Sequence, residues 1–214
     1  MHARWLPPSG CALAFLALAL HAGPAGADLG AFSVEALPAI SVSSVKLPIA
    51  LGSATQTGSA LSLNLAGHYA LSNNLEVGAV TFFEPGTNWV HAGAAYQQFS
   101  GSLTSRASRV GALADVRLVG GLVWRASAGV GLGFSRRAFS QLDLYDVSGP
   151  TPRSFGLSIG DAALTNFVVA PTIGLRWTGD HAAFGIEPRF EVLVGQGASW
   201  AVTVPLSFAW SWYP

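Results

Sequence analysis

The sequence predicts an all-β fold: an eight-stranded, antiparallel, up-and-down transmembrane β-barrel. From about Ala60 onward, apolar side chains alternate with small or charged ones at a period of two, which is the spacing of a β-strand. Half of the residues are hydrophobic and 10% are charged, whereas about a quarter of the residues in an ordinary soluble domain are charged. The charges inside the alternating segments lie opposite the large apolar side chains.

The segment 122–134 shows how the two faces differ. One face carries Leu122, Trp124, Ala126, Ala128, Val130, Leu132 and Phe134, and the other carries Val123, Arg125, Ser127 and three glycines. A soluble barrel would turn the apolar face inward, so charges opposite it favour a barrel in lipid with a polar interior. After the first 27 residues, no segment has the 18 apolar residues of a membrane-spanning helix, which leaves a closed barrel to satisfy the backbone in hydrocarbon.

Residues 1–27 predict a secretory signal peptide, and residues 28–214 predict the barrel domain. Arg4 supplies the positive start, residues 11–20 form the apolar core, and Ala25-Gly26-Ala27 is a small-x-small cleavage site. An uncleaved anchor helix is the alternative, although the apolar run is short for a membrane span. Cys11 is the one cysteine, so the mature chain would have no disulfide, thiol nucleophile or cysteine metal ligand.

The chain predicts eight strands, in which tight turns alternate with long loops. The tight turns are at Ser72-Asn73-Asn74, at Gly120-Gly121 and at residues 178–181. The strands are predicted at residues 40–50, 59–70, 75–83, 108–119, 122–138, 165–178, 183–194 and 200–212, and the longer loops at 52–58, 84–107, 140–163 and 195–199. Both chain ends then lie at the turn end of the barrel.

Two stretches leave alternatives open. Residues 89–99 fit a loop segment, a short helix or an extra strand, and two further strands would make ten. The residues before Ile40 either extend the first strand or form a periplasmic arm.

The turn Tyr69-Ala70-Leu71-Ser72-Asn73-Asn74-Leu75-Glu76 resembles the periplasmic turns of small outer-membrane β-barrels, such as the membrane domain of outer-membrane protein A. The last strand alternates Leu206, Phe208, Trp210 and Trp212, which is similar to the signal that the barrel-assembly machinery reads, although the chain ends in Tyr213-Pro214 rather than in phenylalanine. The resemblance implies a bacterial outer-membrane location and insertion by that machinery. It implies much less about activity.

Alternate residues of a strand lie on opposite faces, and this strand parity predicts a charge network in the lumen, the interior of the barrel. Its members are Glu76, Asp115, Arg117, Arg125, Arg137, Arg176, Glu187, Arg189 and Glu191. Eight strands leave room only for filling side chains or one small ligand, and charges in such a space must be paired. Glu76 and the group Glu187, Arg189 and Glu191 are expected toward the turn end, so the network could have layers. A narrow passage that favours anions is the functional alternative.

The aromatic residues predict two girdles at the membrane interfaces. Trp124, Trp177, Phe184 and Trp212 lie near the turn ends of their strands, and Phe83, Phe134, Phe167 and Trp200 lie near the loop ends. The structural alternative is a soluble sandwich that encloses these rings.

The sequence favours a non-enzymatic role, in membrane integrity, in surface contact or as a narrow passage. His68, His91 and His181 have no serine–acid setting that would indicate a hydrolase, so no catalytic, cofactor or metal-binding residue is predicted. The alternatives are a lipid-modifying or proteolytic membrane enzyme and a secreted soluble β-barrel that binds a hydrophobic ligand. The expected partners are membrane lipid and lipopolysaccharide. A zero net charge suggests no nucleic-acid partner, and a monomer is expected.

Overall fold

A computed structural model describes residues 29–49, 52–96, 99–146, 150–151, 153–154, 163–195 and 199–212. The predicted signal peptide and its cleavage site lie outside these residues. The strands are β1 (Phe32–Ile49), β2 (Gly52–Ser72), β3 (Leu75–Tyr96), β4 (Phe99–Gly120), β5 (Trp124–Asp146), β6 (Arg153–Ser154), β7 (Ala163–Thr178), β8 (Ala182–Ile186), β9 (Arg189–Gly195) and β10 (Ser199–Trp212). Among the described residues, none belongs to a helix long and apolar enough to cross a membrane.

The strands close into an antiparallel barrel with eight positions. Strands β1 to β5 pair in chain order, β5 pairs with β7, and β10 pairs with β1. Strands β8 and β9 occupy one position between β7 and β10, because the chain leaves the strand conformation at Glu187 and Pro188. The two-residue β6 pairs with the end of β5. The predicted fold class, an eight-stranded up-and-down barrel, is therefore confirmed.

Three tight turns connect strands at one end of the barrel, called the turn side here, and the opposite end is the loop side. They lie at Asn73-Asn74, at residues 121–123 and at residues 179–181, close to the predicted positions. At the second turn Gly121 has a φ of 110°, a conformation that glycine adopts without steric cost.

The strands are longer than predicted on the loop side, which corrects four boundaries. The predicted loop at 52–58 is part of β2, most of the loop at 84–107 belongs to the β3–β4 hairpin, and residues 140–146 extend β5. Residues 89–99 therefore add no position to the barrel. The stretch before Ile40 also belongs to β1. Hydrophobic alternation in the sequence ends before the strands do, and backbone pairing continues, as Tyr96 opposite Phe99 shows.

The outer and inner faces of the barrel are inverted relative to a soluble barrel. Large apolar side chains lie on the outside, with Trp124 59% and Phe134 63% exposed. Charged side chains lie inside, with Glu35 and Glu191 0% exposed. A small apolar layer that includes Val80 and Phe82 lies within the lumen, and on β3 it separates Glu76 from Glu84. The polar interior is thus divided along the barrel axis.

We expect the folded protein to be heat-modifiable. The closed ring leaves no unpaired edge among its eight positions, so it should resist detergent until boiling separates the strands. Unboiled samples should migrate faster than boiled samples in dodecyl sulfate gels. Identical migration of the refolded and boiled protein would contradict a closed barrel.

Candidate functional site

The Glu35 carboxylate, fully buried on β1, receives hydrogen bonds from four side chains. Arg176 donates to both of its oxygens at 2.8 Å, and Arg117 donates from Nη2 to Oε1 at 2.7 Å. His68 Nδ1 lies 3.0 Å from Oε1, and the Ser207 hydroxyl lies 3.5 Å from Oε2. Charge-assisted bonds of this kind are among the stronger ones in proteins, so Glu35 is the centre of the turn-side charges.

Two more carboxylates complete this turn-side layer through the same arginines. Arg117 donates from Nε to Glu76, its direct cross-strand neighbour, and from Nη1 to Glu187 at 3.5 Å. Arg176 also forms an ion pair with Glu187. Each guanidinium thus bridges several strands, which a lysine ammonium could not do with the same fixed geometry.

His68 extends the turn-side layer to β2 and β4. Its Nδ1 faces Glu35 and its Nε2 lies 3.0 Å from Asp115 Oδ2. An imidazolium ion, which carries hydrogen on both nitrogens, satisfies both contacts. Because both nitrogens face carboxylates, no described serine hydroxyl bonds to His68, and this contact pattern gives no activated nucleophile.

A second, loop-side layer is built around Glu191 on β9. Arg109 donates to Glu191 and, at 3.0 Å, to Glu84. Arg189 donates from Nε to Glu191 at 2.9 Å, and the Thr203 hydroxyl lies 3.2 Å from the same carboxylate. Arg137 joins the layer from β5: its Nη2 lies 3.0 Å from the Ser43 hydroxyl and 4.0 Å from Glu84.

The Phe82 ring links the apolar layer to the loop-side layer. The guanidinium carbon of Arg109 lies 4.5 Å from the ring centroid, and that of Arg189 lies 5.3 Å from it. A cation over an aromatic face is attracted by the ring electrons. The ring therefore both fills the lumen and supports the two arginines that hold Glu191.

Glycines provide the room for these large side chains. A Cβ on Gly78 would come within 2.4 Å of the His68 ring, and a Cβ on Gly129 would come within 2.8 Å of Arg117 Cβ. Glycine at these inward positions lets bulky partners cross an eight-stranded lumen. Gly129, Gly131 and Gly133 in the middle of β5 thus leave room for residues of the neighbouring strands.

Among the predicted network residues, eight make ion pairs with other lumen side chains. Glu76, Asp115, Arg117, Arg176 and Glu187 lie in the turn-side layer, and Arg137, Arg189 and Glu191 lie in the loop-side layer. The expectation that Arg189 and Glu191 lie with Glu187 toward the turn end is wrong, because the chain crosses from one layer to the other at Pro188. Arg125 is half-buried and forms no ion pair among the described residues.

Sequence reasoning missed four members of the network: Glu35, His68, Glu84 and Arg109. Arg109 has the same strand parity as Asp115 and Arg117, and Glu84 has the parity of Glu76, so parity alone could have identified both. Glu35 lies in the stretch whose conformation was left open. Sequence reasoning considered His68 only as a possible catalytic residue and did not place it in the lumen.

The predicted girdle residues all lie on the outward parity. Trp177 is half-buried, and the other seven are exposed. Rings contact each other across strands, with centroid separations of 5.0 Å for Trp177 and Phe184 and 5.4 Å for Phe134 and Phe167. On the turn side, Phe32 stacks on Trp212, and sequence reasoning did not include Phe32.

Within the part of the chain that the structure describes, no group of three histidine, cysteine or acidic side chains could hold a metal ion. His181 lies at a turn, where its ring stacks on Trp210 and its Nδ1 lies 3.3 Å from the Ser211 carbonyl oxygen. The side chain of His91 lies outside the described residues.

The sequence matches no protein-family model and no curated protein. Among solved structures, the outer-membrane protein OprG from Pseudomonas aeruginosa is similar, with 12% identity, a TM-score of 0.56, and coverage of 90% of this chain and all of that one. The attachment invasion locus protein Ail of Yersinia pestis (14% identity, TM-score 0.45, 86% and 100% coverage) and Neisserial surface protein A (15%, 0.45, 85% and 97%) are also similar.

At this identity the similarity to OprG shows the fold and nothing about activity. The predicted resemblance to small outer-membrane β-barrels is confirmed at the level of the fold. The exterior of the barrel is apolar, so its surroundings are lipid rather than water. Fold and exterior together indicate a barrel that spans a lipid membrane.

We expect Glu35→Gln to destabilise the barrel strongly. The amide cannot neutralise Arg117 and Arg176, and breaking a buried ion pair by removing one partner costs about 3–5 kcal/mol. Urea unfolding of the barrel in lipid vesicles measures the loss. The matched control is Asp180→Asn, the same type of exchange in an exposed turn, for which we expect a change within about 0.5 kcal/mol. Equal effects of the two substitutions would refute the central role of Glu35.

Proposed function

We propose that this protein is a non-enzymatic outer-membrane barrel whose lumen is closed by paired charges, and that it acts through membrane integrity and surface contact. One observation supports the inference that the lumen is closed. Among the described residues, Glu35 and the side chains joined to it come from seven of the eight barrel positions, and β5 contributes no member. We infer that this layer interrupts the water-filled path along the lumen.

The charge balance of the lumen supports this proposal. The described lumen holds six arginines and six carboxylates: Arg109, Arg117, Arg125, Arg137, Arg176 and Arg189, and Glu35, Glu76, Glu84, Asp115, Glu187 and Glu191. A water-filled pore solvates its own charges and needs no such match, whereas buried charges out of water require partners. The near balance of the two signs, to which the His68 imidazolium adds one positive charge, favours a closing role over the anion passage.

The lengths of β3 and β4 support a role in surface contact. Each has 22 residues, which at a rise of about 3.4 Å and a tilt of about 40° reach about 55 Å along the barrel axis, against an apolar band of about 25 Å. On β3 the outward apolar side chains run from Leu75 to Phe83. The rest of the hairpin would therefore extend well beyond the membrane and present a rigid sheet to the outside.

The apolar exterior and the last strand indicate which partners the protein would have. The apolar exterior would contact the acyl chains of membrane lipid and lipopolysaccharide. The barrel-assembly machinery would insert the chain, for which the alternating last strand is the signal. We propose a monomer, since the ring closes without a second copy. An unchanged lipid A profile in a deletion strain would agree with a non-enzymatic role, and a changed profile would favour the lipid-modifying alternative.

We expect the purified barrel to show no steady conductance in a planar bilayer, because the turn-side layer reaches into the lumen from seven of its eight positions. Replacing both Arg117 and Arg176 with serine removes the two side chains that hold the layer together, and this variant should show frequent open events. The control is the outward Arg136→Ser, which should behave as the wild type. Steady, anion-selective currents through the wild type would refute the closed lumen and favour the narrow passage.

We expect the loop side to face outward from the cell. Cys11 is the only native cysteine and lies in the predicted signal peptide, so introduced cysteines report their own positions. A membrane-impermeant maleimide should label Ser102→Cys in the β3–β4 hairpin on intact cells, and should label Asn73→Cys in the turn only after lysis. The native chain is the control for background. The reverse pattern would invert the topology.

A further inference from the structure

A small cavity remains in the lumen at its turn-side end. It has a volume of about 40 Å³, and its polar lining includes Arg117, Arg125, Arg176, Ser127 and Thr178. Such a volume holds a few water molecules or one small ligand. Glu76 also lines the cavity, but Arg117 Nε already donates to its carboxylate. Three arginines therefore line one small space, and carboxylates compensate their charges unequally.

Arg125 is the source of the imbalance. Its direct cross-strand neighbour on β7 is Arg176, and like charges in that arrangement repel each other. Arg176 is compensated by Glu35 and Glu187. Arg125 has no carboxylate partner among the described residues, although the other five lumen arginines each have at least one.

Three of the residues that line the cavity also have a hydrogen-bond donor without a partner. Three buried atoms of its lining make no hydrogen bond: Arg125 Nε, Arg176 Nε and Thr178 Oγ1. Buried donors without acceptors are costly and rare. Two guanidinium donors and a hydroxyl on one lining suit a partner that offers several acceptor atoms.

We propose that this cavity is a binding site for a small oxyanion of the type of inorganic phosphate or sulfate. Such an anion has only acceptor oxygens, matches the fork geometry of arginine and compensates the charge of Arg125. A cation is excluded by the three arginines, and water would satisfy the donors but leave the charge uncompensated. The site lies at the turn side, so the anion would come from the periplasm. This site goes beyond the proposed closing role, since binding needs no path through the barrel.

The test is a titration of inorganic phosphate, and separately of sulfate, into the folded barrel. Octyl glucoside micelles are suitable because they contain no phosphate, and chloride keeps the ionic strength constant. Arginine Nε–H resonances are followed by nuclear magnetic resonance. We expect saturable shifts of the Arg125 and Arg176 signals with at least one of the two anions. Arg125→Gln should weaken binding by at least about tenfold, because it removes a charge-assisted donor.

The matched control is Arg136→Gln, which removes an exposed, outward arginine from the same strand and should leave the midpoint of the titration unchanged. Thr178→Val keeps every charge and removes one donor, so it should weaken binding several-fold, and it serves as the test if Arg125→Gln does not fold. A linear, non-saturating response of the wild type to both anions would overturn the proposal. Saturable shifts confined to other arginines, or equal midpoints for the wild type and the cavity variants, would also overturn it.

Discussion

The buried carboxylate of Glu35 is the constraint on which the lumen depends. An ion moved out of water loses several kcal/mol of hydration free energy, which only good geometry and further hydrogen bonds offset. Arg117, Arg176, His68 and Ser207 provide that compensation from four other positions in the ring. The network is therefore satisfied only when the ring is closed in this register, so the same contacts neutralise the charge and specify how the strands are arranged.

Each strand must satisfy lipid on one face and this crowded, charged lumen on the other. Outside, exposed apolar side chains adjoin one another, as Leu61, Leu63 and Leu206 do at 71%, 52% and 53% exposure. Soluble proteins rarely expose large contiguous apolar patches. Inside, space is the limiting quantity, and glycine recurs where a large partner crosses the lumen. Gly78 beside His68 and Gly129 beside Arg117 are examples. Along a single strand, apolar side chains that face lipid thus alternate with side chains whose size fits the crowded lumen.

The loop-side extensions of β3 and β4 are no longer constrained by lipid on one face and the charged lumen on the other. On the β3–β4 hairpin the sequence loses its apolar alternation while the backbone pairing continues to Tyr96 and Phe99, as expected for a segment that extends beyond the membrane. The lumen also differs along its axis. Two charged layers are separated by a small apolar one, and the turn-side layer ends in the cavity beside Arg125, which has no carboxylate partner among the described residues.

By itself, the sequence determined the strand periodicity, the three tight turns and the inward parity of residues such as Arg117 and Glu191, because these depend on local spacing and turn chemistry. It did not determine how far the strands extend, because pairing without apolar alternation leaves no periodic signal. Tertiary structure alone decided which charges meet. Glu35 and Arg176 are 141 residues apart, and parity says only that both point inward. Their contact depends on ring closure and strand stagger, which are properties of the whole barrel.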